Sequence, residues 1–75
     1  MTDFEMLLDM TKEMGGKIYF IEFNEYYSLC VCCINDVRLY WIFDTNNKRV
    51  FASVNKDKAY ETYIIMSNNR RDHND

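Results

Sequence analysis

The chain has 75 residues, room for one domain around one core. Nine Lys and Arg against twelve Asp and Glu leave a net charge of −3, which lacks the basic footprint of a nucleic-acid binder and is too mild for a polyanionic mimic. Hydrophobic residues at 48 % and aromatics at 16 % exclude a disordered chain, while one His, no Pro and two Gly leave little material for a catalytic site.

Thr2-Asp3-Phe4-Glu5 has the spacing of a capping box. Phe4, Leu7, Leu8, Thr11 and Met14 follow on one helical stripe, with Glu5, Asp9, Lys12 and Glu13 opposite, and Gly15-Gly16 supplies the stop. Four strands are predicted next, over 17–23, 26–34, 37–44 and 49–54, each rich in aromatic and β-branched residues. Asn24-Glu25, Asn35-Asp36 and Asn46-Asn47 separate them, each with the length of a tight hairpin turn; Glu25 is the weak member, so that first turn could be longer. Two-residue loops fix the register. They set Tyr19 against Cys30, Cys30 against Trp41, Trp41 against Ala52, and Asp44 against Arg49 as a cross-strand charge pair.

After Val54, Asn55 or Asp57 can cap a helix with Ala59, Tyr63 and Met66 on one stripe, widened by Tyr60 and Ile64. The rival is a fifth strand over 59–66, favoured by the Tyr, Thr and Ile content. Residues 1–69 thus form a single α+β domain, an N-terminal helix, a four-stranded antiparallel meander and a C-terminal helix. Asn68-Asn69 ends it, and 70–75 reads as a polar, flexible tail.

Acidic residues break any secretory h-region in the first fifteen positions, and no stretch approaches the roughly 20 apolar residues of a membrane span. Cys30, Cys32 and Cys33 share one strand; neighbours on a strand point to opposite faces, so Cys32 and Cys33 cannot pair without distortion. A reduced, cytoplasmic setting is the expectation.

The registers sort the sheet into two faces. The first carries Cys30, Cys32, Trp41 and Phe43; the second carries Phe20, Leu29, Tyr40, Ile42 and Phe51, and is polar only at Glu22, Arg38 and Ser53. A sheet with one solvated face alternates apolar with polar, so something must cover much of the second face. The two helices could take opposite faces; both could share one face, leaving the other for a second copy or a foreign protein; or the strip could meet lipid, although it lacks a basic rim. Cover by a protein is the favoured expectation.

Chemistry is thinly represented. A Cys-X-Cys on a strand, with the third thiol on the opposite face, does not suit a structural zinc site, and the single His73 lies outside the scaffold. The expectation is no enzyme, no metal and no cofactor. Single-strand stacking on Tyr19, Phe20, Tyr40 and Phe51 is disfavoured because residues 17–54 hold four cations and four anions. Residues 2–14 hold Asp3, Glu5, Asp9 and Glu13 against Lys12, a local −3, so Glu5, Asp9 and Glu13 form a candidate acidic ridge for a basic partner.

In length, lack of Pro and richness in Asn, Tyr, Lys and Ile, the chain resembles the small accessory proteins of phages and other mobile elements, a likeness that covers no motif. It implies a binding protein that inhibits a host protein by occupying its surface, through Phe20, Leu29, Tyr40, Ile42 and Phe51 or through Glu5, Asp9 and Glu13. The alternative is a homodimer that buries the second face in its own interface.

Overall fold

The computed structural model describes residues 1–73 and has the order α1 (Asp3–Glu13), β1 (Lys17–Phe23), β2 (Tyr27–Ile34), β3 (Val37–Asp44), β4 (Arg49–Ser53) and α2 (Lys56–His73). Thr2 begins α1 as its spacing predicts: Oγ1 accepts from the Glu5 N–H at 3.2 Å, and the Glu5 carboxylate accepts from the Thr2 N–H. Gly15 follows the helix at φ +72°, the left-handed conformation that favours glycine. Two backbone-directed bonds tie the start of α1 to the β3–β4 loop, Phe4 N–H to Asn47 O at 3.1 Å and Arg49 N–H to Asp3 Oδ2 at 2.8 Å.

The strands form one antiparallel sheet in the order β1-β2-β3-β4. The β2–β3 hairpin has the predicted register, Cys30 opposite Trp41 and Ile34 opposite Val37. Asn35 and Asp36 both take positive φ, as a two-residue turn of the primed type demands.

The outer hairpins depart from expectation. The β1–β2 loop has three residues, 24–26, because the Asn24 carboxamide oxygen accepts from both Tyr26 N–H (2.8 Å) and Tyr27 N–H (2.9 Å) and so builds the turn itself. Cys30 therefore pairs with Phe20 rather than Tyr19, and an irregularity between Phe20 and Glu22 leaves Ile21 as the extra residue. A one-residue slip moves side chains to the other face. Phe20, expected on the second face, lies on the first.

At the β3–β4 loop, Asp44 and Arg49 are not cross-strand partners. The Asp44 carboxylate accepts from Asn46 N–H (2.8 Å) and Lys48 N–H (2.9 Å), Asn47 takes φ +60°, and Phe43 faces Arg49 across an irregular step. Asp44 closes the turn instead of pairing with a charge.

The two helices take opposite faces, so the favoured expectation of an outside protein over the second face is corrected. On one face, here called the α1 face, Leu7 packs with Cys30, Cys32 and Phe43, supported by Phe4, Ile18, Ile34 and Trp41. On the other, the α2 face, Ala59 and Tyr63 pack onto Leu29, Val31, Tyr40 and Ile42. The segment 59–66 is helical rather than a fifth strand. Asn55 caps α2 by accepting from Lys58 N–H at 3.0 Å, and Ser67, buried, accepts from Asn24 Nδ2 at 2.8 Å.

The helix runs on past Asn68-Asn69 to His73, so residues 70–73 are not a tail; 74–75 lie outside the described residues. No Gly or Pro stands there to stop it, and the Arg70 guanidinium sits 5.9 Å from the Tyr26 ring centre, joining the last turns to the β1–β2 loop.

Candidate protein-binding surface

The residues expected to meet a partner separate into three groups. Leu29, Tyr40 and Ile42 are buried beneath α2, and Phe51 packs half-buried against the same core. These four serve the fold, and the homodimer interface expected on that face would have to displace α2. Phe20 sits on the α1 face, 60 % exposed, with its ring 5.5 Å from that of Phe4. Glu5, Asp9 and Glu13 are exposed along α1, where Glu5 also completes the capping box.

The two helices cover their faces unequally. α2 spans eighteen residues; α1 spans eleven. The shorter helix leaves apolar side chains open beside it: Met6, Leu8, Met10 and Met14 are exposed, as are Phe20, Phe23 and Val37. Of the stripe expected on α1 only Leu7 and Thr11 are buried, so Leu8 and Met14 do not share the core with them. At 100° per residue, Met6, Met10 and Met14 fall on one flank of α1, with Glu13 next to Met6 on its solvent side. Between that flank and the sheet runs a groove of about 480 Å³, lined by Met6, Leu7, Met10 and Trp41 and ending at Asp3, Lys48 and Arg49.

Trp41 forms the floor. Its ring stacks on Phe43 at 5.8 Å with 11° between planes, and the Arg49 guanidinium lies over it at 5.3 Å. Its indole N–H is buried without an acceptor among the described residues, a rare condition for a buried donor. Met6, Met10 and Trp41 were not singled out by sequence reasoning, although the i, i+4, i+8 recurrence of Met6, Met10 and Met14 signals a flexible apolar stripe.

Nucleophilic chemistry is poorly served by Cys30. Burial, with the nearby Cys32 thiol adding to it, pushes its thiol up to about 12, so it stays protonated at neutral pH. Cys32 shares a hydrogen bond with Thr11 Oγ1 at 3.1 Å across the α1 core. All three cysteines are free thiols, and among the described residues no group of three His, Cys, Asp or Glu could hold a metal ion. No helix of the described residues is long and apolar enough to cross a membrane. Comparison with protein-family models, curated proteins and solved structures finds no match to this chain.

Proposed function

We propose that the protein is a non-enzymatic binding module that inhibits another protein by occupying its surface, as small accessory proteins of mobile elements do. One observation carries this reading. The methionine flank of α1 stands open beside Trp41, while α2 covers the middle of the opposite face and leaves open its corner at the Lys17 end of β1. Methionine side chains are unbranched and polarisable, so such a flank adapts to apolar anchors of different shapes. Asp9 and Glu13 neighbour Met6 and Met10 on the solvent side of α1, so they favour Lys or Arg where the partner segment overlies the helix, away from the Lys48 and Arg49 that end the groove. The proposed occupant is a basic amphipathic segment of another cytoplasmic protein.

Trp41 is the single Trp of the chain and lines the groove, so its emission reports occupancy directly. Titration with a synthetic helical peptide of Leu and Lys should change that emission saturably, and salt should weaken the effect. Met6→Ser combined with Met10→Ser should abolish it, because the change removes the apolar contact without adding charge that would itself attract a cationic peptide, and both side chains are exposed. An unchanged emission, or equal binding by the double variant, refutes the proposal.

A further inference from the structure

We propose that the corner of the α2 face left open beside the Asn35-Asp36 turn binds a nucleoside monophosphate, a phosphate joined to a flat heteroaromatic ring. The site lies on the opposite side of the sheet from the methionine groove and stands independently of it. Lys17 pairs with Cys33, and Cys33 pairs with Arg38, so the three form one row across β1, β2 and β3. Cys33 packs against the core under α2, which assigns the row to that face. The helix begins at Lys56 after β4 and runs to Ser67, which meets Asn24 at the far end of the sheet. That diagonal path leaves the Lys17 end of β1 uncovered.

Two adjoining hollows of about 440 and 240 Å³ occupy the corner, and both are lined by Tyr19, Cys33 and Arg38. Lys17 lines the first, Lys56 the second. Of the charged side chains lining them, Lys17, Arg38 and Lys56 oppose Asp36 alone, a local +2 on a chain whose net charge is −3. Lys17 and Arg38 are separated by two inter-strand steps of about 4.8 Å, with a small thiol between them. Their heads can thus converge above Cys33 on the oxygens of one phosphate, whose charge also relieves the repulsion of two like charges on one face.

The aromatic side chains decide the ligand class. Tyr19 is 53 % exposed two rungs along from the Lys17–Cys33–Arg38 row, on the same face, and Tyr60 lines the second hollow with Lys56 Nζ 5.9 Å from its ring centre. A bare phosphate would use the cations and leave the Tyr19 face idle. An acidic peptide would do the same. A base attached to the phosphate stacks on Tyr19 while the cations hold the anion.

The test is a nuclear magnetic resonance titration of the whole chain with adenosine monophosphate, inorganic phosphate, adenosine and a tetraglutamate peptide. The nucleotide should shift the amide signals of Tyr19, Cys33 and Arg38 saturably, and phosphate or adenosine alone should bind about tenfold more weakly. Arg38→Gln and Lys17→Gln, both at exposed positions, should each weaken the nucleotide about tenfold, and Tyr19→Ala should reduce it to the level of phosphate. Cys33, half-buried in the corner, gives a second readout on the unaltered protein: the nucleotide should slow its alkylation by iodoacetamide. No saturable shift, unchanged binding in Arg38→Gln, tetraglutamate binding as tight as the nucleotide, or undiminished alkylation of Cys33 would each overturn the assignment.

Discussion

Asn24 joins the β1–β2 loop to α2, and its removal should be among the costliest polar substitutions in the chain. Its carboxamide makes three hydrogen bonds: Oδ1 accepts from the Tyr26 and Tyr27 N–H groups, and Nδ2 donates to Ser67 Oγ at 2.8 Å. A hydrogen bond contributes about 1 kcal/mol net, so Asn24→Ala forfeits about 3 kcal/mol before relaxation. Water can reach the two loop N–H groups, which are only part-buried, but reaches Ser67 poorly because that residue is 3 % exposed. The expected net cost is about 2 kcal/mol, a large share of the roughly 4–11 kcal/mol that a chain of this size holds.

Asn24→Asp keeps the acceptor for both backbone groups, and the Ser67 hydroxyl can donate to the carboxylate, so its cost should stay near 1 kcal/mol. Urea unfolding followed by Trp41 emission gives both values. With a slope of about 1 kcal/mol per molar, Asn24→Ala should lower the midpoint by about 2 M. A loss below about 0.5 kcal/mol, or equal losses for Ala and Asp, would show that the three bonds do not hold the loop to the helix.

Two further outcomes follow from the packing. A Cβ at Gly16 would lie 2.5 Å from Cys33 O and 2.6 Å from Ile34 Cγ1, whereas one at Gly15 meets nothing and strains only its φ of +72°. Gly15→Ala should therefore cost about 1 kcal/mol and Gly16→Ala about 2–3 kcal/mol, with the order read from thermal midpoints. Cys30 has its ordinary value of 9.0 raised to about 12 in the fold, chiefly by burial. Above pH 9 the unfolded chain releases a thiol proton that the folded chain retains, so stability should fall as pH rises from 9 toward 12. Tyr63, raised by burial and by Glu22, acts in the same direction at higher pH. Cys30→Ala should show a shallower decline in urea midpoint across that range than the native chain does.

Local chemistry made much of the fold legible. The Thr2 capping box, the Gly15 stop and the Asn35-Asp36 turn each follow from a few adjacent residues whose hydrogen-bonding options are narrow. The outer registers were not legible, since they depend on side chains that choose their own partners. Asn24 spends its oxygen on the loop and its nitrogen on Ser67, forty-three positions away, and this lengthens the turn and slips β1. Asp44 prefers two nearby N–H groups to the Arg49 guanidinium, which settles over Trp41 instead.

Three of the residues expected at a partner surface, Leu29, Tyr40 and Ile42, are buried for a related reason. Apolar content on Leu29, Tyr40 and Ile42 is equally consistent with a buried layer and with an interface, and only the path of α2 distinguishes them. Ser67 is polar in sequence yet buried in the fold, so it gave no sign that α2 reaches across the sheet. The methionine recurrence on α1 was readable, but its exposure depends on how little of its face an eleven-residue helix covers.

The strand β2 is a shared wall between two rooms. Leu29 and Val31 furnish one, Cys30 and Cys32 the other, and all four are buried. A slip of one residue along this strand would empty both rooms at once and exchange their contents, placing Leu and Val where thiols are fitted. Neither layer can therefore be repacked without the other, and the chain should melt as a single unit although its apolar interior is divided in two.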